Sequence, residues 1–560
     1  MLKRSKVQLL VVLGCFLMGF CQAQVNFAFP IDTPHVLSGT FGELRSNHYH
    51  SGLDFKTDGK EGRTVKAAAT GWVSRIKMSA VGFGNVIYID HPSGHTTVYA
   101  HLHHFHPELM KYIDSAQYAA ESFEMELFPD SGRFSFLGGD GIGVSGNTGG
   151  SQGPHLHFEI RDCQTQVPQN PLLFLPVLMD SIAPVSGVVT LFKKDPHFNC
   201  YTLLDSSSEV NPIFNVNEDT VYVSLYTNDP SGENKLGVYS MQLSQDDSIL
   251  YTYQYNQFNF DETRFVNAHT HPTGLNGKSG WAHQLFKLPG DRFSVYADAG
   301  FGKMVVSNAD TTNLEIEVSD FSQNSTLVPF QIIKSKSVPS KKKKIRNVIR
   351  ITEPFEQEGK YSMKLNMPAN ALYQELPLTK IGFQESNQYQ AGIYSILDSL
   401  KVPLHLAAKI QIPFQPIPEI SLEKYLFLRV NHQSKWVEEY MPADTVIGDV
   451  LKGRTRKAGS YTVGLDTLSP TIGTVFMFTD TVDLQTYFGC VIEDKQSGIK
   501  SYRVTENQQW KLAYYDGKSG LLRWKKSSTI ENDIHFTISV DDYCKNNSCI
   551  EWNENDEIRH

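Results

Sequence analysis

The sequence predicts a mainly β protein: an N-terminal antiparallel β domain followed by about three β-sandwich modules of immunoglobulin-like character. Three observations lead there. Short β-branched and aromatic runs, such as Asn85-Val86-Ile87-Tyr88-Ile89 and Tyr425-Leu426-Phe427-Leu428-Arg429-Val430, recur along the chain with Gly, Asn, Asp and Ser turn signals between them. One stretch, Pro107 to Glu126, reads instead as a helix, with Leu109, Met110, Tyr112 and Ile113 among interspersed charges. Finally, the sequence loosely repeats itself. Ser181-Ile182-Ala183-Pro184-Val185-Ser186-Gly187 aligns with Thr467-Leu468-Ser469-Pro470-Thr471-Ile472-Gly473, and Val318-Ser319-Asp320-Phe321-Ser322-Gln323-Asn324 with Val540-Asp541-Asp542-Tyr543-Cys544-Lys545-Asn546. Each copy also holds an internal Asp-to-Ser-Gly turn, at Asp229 to Gly232 and Asp494 to Gly498.

Taken in order, residues 1–23 read as a secretory signal: Lys3, Arg4 and Lys6, an apolar run from Val7 to Cys21 broken by Gln8, then small residues at the cleavage positions. The run is shorter than the roughly 20 residues a spanning helix needs, and no later segment reads as one, so no transmembrane segment is expected after cleavage. Residues 24–176 form the first β domain, with an insertion at 107–136 that either walls a cleft or covers an open sheet edge. Gly141-Ile142-Gly143-Val144-Ser145-Gly146 formally matches a dinucleotide fingerprint. Its glycines run on through Gly149, Gly150 and Gly153 into a strand rather than a helix, which favours a tight loop leading to a site. The first repeat copy occupies 177–335, a further β-rich module 336–465 and the second copy 466–560. Lys341-Lys342-Lys343-Lys344 with Arg346 marks a boundary and reads as a solvated linker.

A chain of 560 residues, 40% hydrophobic and 11% aromatic, suits roughly three to four folded domains. A net charge of −9 gives no global basic footprint, and nucleic acid is not expected as a partner. Past the signal, Cys163, Cys200, Cys490, Cys544 and Cys549 remain. In an oxidising compartment Cys544 and Cys549 would close a small loop, and the odd count leaves at least one free thiol; buried, unpaired thiols are the alternative.

The chemistry-bearing residues lie in three segments. His50-Ser51-Gly52-Leu53-Asp54 and, about a hundred residues later, His155-Leu156-His157 offer imidazoles and a carboxylate, the donors a tetrahedral catalytic zinc accepts while keeping one position for water. His50, Asp54 and His157 can supply that set. In Gly153-Pro154-His155-Leu156-His157-Phe158-Glu159-Ile160 the alternation reads as a strand, so His155 and His157 share a face and one can bind metal while the other faces substrate. His101, in Val98-Tyr99-Ala100-His101-Leu102, is a candidate for proton handling. There is no HExxH, so a helix-borne metalloprotease site is excluded, and no GxSxG elbow turning from a strand into a helix argues for a serine hydrolase.

The order HxxxD, YAHL, GPHLHFE resembles the lysostaphin/LytM-type zinc endopeptidases, which cleave peptide cross-bridges of bacterial peptidoglycan. Gly39-Thr40-Phe41-Gly42, Val65-Lys66-Ala67-Ala68-Ala69-Thr70-Gly71-Trp72-Val73 and Gly84-Asn85-Val86-Ile87-Tyr88-Ile89-Asp90-His91 fit too, and the likeness covers roughly a quarter of the chain. It implies one Zn2+ per chain held by His50, Asp54 and His157, with His101 and His155 as the catalytic pair that assists the attacking water. His48, His103, His104 and His106 fall outside the matched positions and read as structural or rim residues. The expected protein is an exported zinc metalloendopeptidase of the periplasm, the cell envelope or the medium, acting on peptidoglycan peptides, with envelope proteins as possible partners of its C-terminal modules. The alternative is a non-enzymatic envelope adaptor or regulator of other wall hydrolases.

Overall fold

The computed structural model describes residues 26–246, 248–270, 282–296, 301–307, 311–335, 347–397, 403–527 and 534–553. The signal stretch and the Lys341–Lys344 run lie outside them. The fold is mainly β, and no described helix is long and apolar enough to cross a membrane.

The N-terminal domain is built on one antiparallel sheet whose strands run, side by side, Leu37–Gly39, Leu53–Lys56, His155–Asp162, His95–Ala100, Val86–Asp90, Gly71–Met78 and Met125–Leu127. Period-2 alternation divides its residues between two faces. Leu53, Phe55, Ile87, Ile89, Tyr99, Leu156, Phe158 and Ile160 enter one core, whereas Val86, Tyr88, Val98 and Ala100 form a small cluster of their own. Asp54, His155, His157 and Glu159 occupy the intervening positions, so the polar residues fall on the face opposite that core.

The inserted helix spans Pro107–Ala120, with Pro107 and Glu108 in its first turn and Leu109, Ile113 and Gln117 buried along one stripe. The chain then returns as Met125–Leu127 and Ser135–Phe136, both paired with Gly71–Met78, so the insertion covers that strand's edge. Gly141–Ser145 is a strand between Thr64–Lys66 and Leu102–Phe105, which removes any helix from the glycine-rich stretch.

Three two-sheet sandwiches follow. Their sheets are built from strands within 185–334, within 355–465 and within 471–553. They are not independent beads. Phe41, Leu44 and Tyr49 of the first domain join the hydrophobic core of the following module, with Tyr49 stacked on Phe293 at 4.4 Å. The last module returns to the first domain: Leu512 is buried in the N-terminal core, Trp510 meets Tyr118 at 5.3 Å, and Tyr514 meets Phe123 at 5.2 Å.

The Cys544–Cys549 loop closure expected from spacing does not form, and all five described cysteines are free. The strand Asn547–Asn553 turns Cys549 outward, while Cys544 is buried in the turn before it.

Candidate metal centre and neighbouring groups

Strand register assembles the site. His157 lies directly across from Asp54 on one side and from Ala100 on the other, so the residue after that strand, His101, is delivered to the same place. His50 precedes Asp54 by one short turn. The outcome is a cluster in which His50 Nε2 lies 3.0 Å from Asp54 Oδ1 and 3.0 Å from His157 Nδ1, and His157 Nδ1 lies 2.9 Å from Asp54 Oδ1. Each of the three residues is 3% exposed. His155 adjoins, its Nε2 3.5 Å from Asp54 Oδ1, and the His101 ring stands 4.8 Å from that of His155. All five residues singled out in the sequence therefore meet.

The outer nitrogens fix the tautomers. His50 Nδ1 donates to the Thr40 carbonyl at 2.8 Å, and His157 Nε2 donates to Glu159 Oε1 at 2.9 Å. Neither acceptor carries a proton to give back, so the inner nitrogens of both rings present lone pairs to each other and to a carboxylate. Two lone pairs and an anionic oxygen about 3 Å apart repel unless a cation, or a proton, sits between them. One carboxylate and two neutral imidazoles match the donor preferences of a tetrahedral divalent site, so the residues present fit zinc.

His101 Nδ1 donates to the Thr148 carbonyl at 2.8 Å, and His155 Nδ1 to the Gly153 carbonyl at 2.8 Å, which leaves Nε2 of each ring as its basic nitrogen. His101 itself sits at φ +59°, an uncommon conformation for a side-chain-bearing residue, at the turn between two strands. Its partner Thr148 is brought close by Gly149, at φ +70°, where a Cβ would lie 2.4 Å from the Gly82 carbonyl oxygen. The glycine-rich stretch thus serves backbone approach.

Burial pushes the His50 imidazolium pKa down to about 4, and burial with the neighbouring imidazoles pushes that of His101 to about 3, so both are neutral at pH 7. Burial also opposes charge on His157, but its bonds to Asp54 and Glu159 prevail and raise it to about 9. Without a metal, a proton on His157 fills the gap. Burial would lift Glu159, yet Arg161 and His157 hold it at about 2. Burial likewise opposes ionisation of Asp54, and the histidines around it keep it well below the usual carboxylate range.

Several contributors escaped the sequence reading. Glu159 stands in the quoted GPHLHFE run, and its place two residues after His157 on the same strand was the available signal. Arg45 donates to Asp54 Oδ2 at 2.6 Å, and Gly39 leaves room for that bond because a Cβ there would lie 2.3 Å from the guanidinium. Thr40 and Thr148 act through backbone carbonyls, which no side-chain motif announces.

Beside Thr148, Gly149 and Pro154 opens a cleft of about 1020 Å³ whose other wall belongs to the last module, including Asp480, Asp516 and Arg523. His103, expected at the rim, lines it and pairs through Nε2 with Asp480 at 3.1 Å, where Arg523 also donates at 2.6 Å. Met110 of the inserted helix lines the same cleft, so the insertion walls it as well as covering the sheet edge.

Residues 48–124 match the model of peptidase family M23, and residues 352–466 match that of a Zu5-like domain. Among curated proteins, the DD-carboxypeptidase/endopeptidase Mpg of Neisseria meningitidis serogroup B is 35% identical over 118 residues, 21% of each chain. The cell division protein DipM of Caulobacter vibrioides is 26% identical over 155 residues, 27% of this chain and 21% of its own. The chain thus spans about a fifth of the length of these relatives. Among solved structures, the catalytic domain of lysostaphin from Staphylococcus simulans aligns at 25% identity with a TM-score of 0.19, covering 25% of this chain and 91% of that one. With its HxxxD, YAHL and HLH segments gathered on one sheet, the N-terminal domain is a peptidase M23 domain of the LytM/lysostaphin family.

Proposed function

We propose that this chain is an exported zinc-dependent endopeptidase that hydrolyses peptide cross-links of peptidoglycan. The observation that carries the reading is the convergence of His50 Nε2, Asp54 Oδ1 and His157 Nδ1, with two further imidazoles alongside whose Nδ1 protons are committed elsewhere. The likeness to Mpg, named a DD-carboxypeptidase/endopeptidase, supports the substrate class.

His50, Asp54 and His157 would hold the zinc, which when bound supplies a water of pKa near ~7 and a Lewis acid for the scissile carbonyl. The chain's own groups do the rest. Arg45 and Glu159 orient Asp54 and His157 so that their inner lone pairs stay aimed. His101 and His155, each with Nε2 as its basic nitrogen, accept a proton in the attack, hydrogen-bond the developing oxyanion once protonated, and return the proton to the leaving amine. The neutral state of His101 at pH 7 suits it to acceptance. The cleft shared with the last module, which opens beside Thr148 and Pro154, is the path this reading gives the peptide. Export to the periplasm, envelope or medium follows from the N-terminal signal pattern and belongs to the same proposal.

The test is digestion of defined muropeptides by the chain beside Asp54→Ala and His101→Ala. Asp54→Ala should lose zinc and cleavage together, and His101→Ala should retain zinc while turnover falls about 10²–10⁴-fold. Unchanged cleavage in either variant would reject the assignment, and zinc binding without any hydrolysis by the parent would favour the adaptor reading.

A further inference from the structure

Two acidic clusters lie outside the proposed metal centre, one in each repeat copy. Ligand oxygens of Asp180, Asp229 and Asp320 lie within 4.8 Å of one another, and so do those of Asp466, Asp494 and Asp542. Around the linker and turn aspartates the hydrogen bonds repeat. Asn324 donates from its backbone to Asp320 Oδ1 at 2.8 Å, from its amide to Asp320 Oδ2 at 2.7 Å, and to the Asp180 carbonyl at 3.2 Å. Asn546 donates to Asp542 Oδ1 at 2.8 Å, to Asp542 Oδ2 at 2.7 Å and to the Asp466 carbonyl at 3.1 Å. In both copies the residue two beyond the linker aspartate donates to its Oδ1, Ile182 at 3.0 Å and Leu468 at 3.2 Å.

The third carboxylate differs between the copies: Asp494 Oδ1 accepts from Gln496 at 3.0 Å and Gly498 at 2.6 Å, and Asp466 Oδ2 accepts from Ser497 at 3.1 Å, whereas Asp229 has no such donors. Asp229 is 4% exposed, its carboxylate faces Asp180 and Asp320, and its Oδ1 has no hydrogen-bond partner. A buried carboxylate oxygen facing two more carboxylates, with no donor to answer it, carries both a desolvation and a repulsion cost. A bound cation removes both. Its donors are all oxygen, which excludes the soft metals, and three carboxylates in an all-protein cage suit Ca2+ better than Mg2+, which sheds its waters reluctantly.

We propose that Asp180, Asp229 and Asp320 bind a calcium ion. The placement gives the ion a task. Asp180 lies in the segment between the short turn Pro171–Leu173 and the first strand of the next module, Val185–Lys194, while Asp320 follows the strand Thr312–Ser319 deep in that module. The ion ties the incoming linker to the sandwich that follows it, fixing how the first two domains are set against each other.

The experiment is a Ca2+ titration of the purified full chain, stripped of metal and then restored with one equivalent of Zn2+, followed by calorimetry and by the melting midpoint. The parent should take up one Ca2+ and melt at a higher temperature when loaded. Asp229→Asn should lose the ion, and Asp494→Asn, in the cluster whose carboxylates are already hydrogen-bonded, should keep it, with sheet circular dichroism unchanged in both. No Ca2+ uptake at millimolar concentration by a folded parent, or undiminished uptake by Asp229→Asn, would overturn the proposal; neither result depends on peptidase activity.

Discussion

Glu159→Gln separates orientation of a ligand from the ligand itself. Glu159 is fully buried, accepts from His157 Nε2 at 2.9 Å, and is paired with Arg161 and with the Ser51 hydroxyl. Glutamine keeps the shape and removes the charge, so His157 loses the carboxylate that fixes its tautomer and raises its basicity. Loss of such a partner typically weakens metal affinity about 10–100-fold, or about 1.4–2.7 kcal/mol. A second effect runs beside it: Arg161, 5% exposed, keeps its charge without its carboxylate, and breaking a buried pair costs about 3–5 kcal/mol. Stacking of Arg161 over Phe260 at 4.5 Å recovers part of that. The double variant Glu159→Gln, Arg161→Met removes both charges and tells the effects apart, because it should regain most of the stability while the affinity stays low. Competition with a chromogenic chelator reads zinc affinity, and thermal melting reads stability. Zinc affinity within twofold of the parent in both variants would refute the role given to Glu159.

Asp291 should make the second domain pH-sensitive. Burial pushes its carboxyl up to about 7 against 3.8 when unfolded, so stability is highest below pH 4, declines as pH rises from 4 to 7, and is lowest above; Asp291→Asn should add on the order of 4 kcal/mol at pH 8 and little at pH 4, read as melting midpoints across pH. An equal shift at both pH values would contradict this. At the docking surface of the last module, Leu512→Ala should cost about 2–5 kcal/mol and raise amide exchange in the helix Pro107–Ala120, since Leu512 is buried in the core that holds Leu109 and Ile113. Arg503→Glu, which breaks a pair with Glu121 exposed on both sides, should move the melting point by less than about 1 kcal/mol of stability. A larger effect from Arg503 than from Leu512 would show that charge, not apolar burial, holds the module down.

How much of this was legible in the sequence depends on how far apart the cooperating residues lie. His155-Leu156-His157-Phe158-Glu159 carries its own geometry, because alternation alone sends Leu156 and Phe158 to the core and the polar residues to the other face. His50 and Asp54 are legible because they stand four residues apart, Asp54 on the strand Leu53–Lys56 and His50 just before it. Arg45 is not, because it reaches Asp54 from a separate two-strand ribbon, and the guanidinium's position depends on the absence of a side chain at Gly39. The return of the last module is less legible still: Tyr118 and Trp510 are ordinary aromatic residues until the fold places them together. The Cys544–Cys549 spacing misled because it says nothing about which side of a strand each thiol faces.

The repeat shows the same limit from the other direction. The text Asp-to-Asn, from Asp320 to Asn324 and from Asp542 to Asn546, is visible in the sequence, and its meaning depends on Asp180 and Asp466, each more than 70 residues upstream. Between the copies the exposed apolar positions differ in kind, as with Leu327 and Cys549, while Asp180 and Asp466, and Asp320 and Asp542, keep the same asparagine and turn donors. The third carboxylate does not: Asp494 Oδ1 accepts from Gln496 and Gly498, whereas Asp229 Oδ1 has no donor. The converging negative charge is answered by hydrogen bonds in the second copy and left over in the first, which is where a cation at the junction of linker and sandwich has work to do.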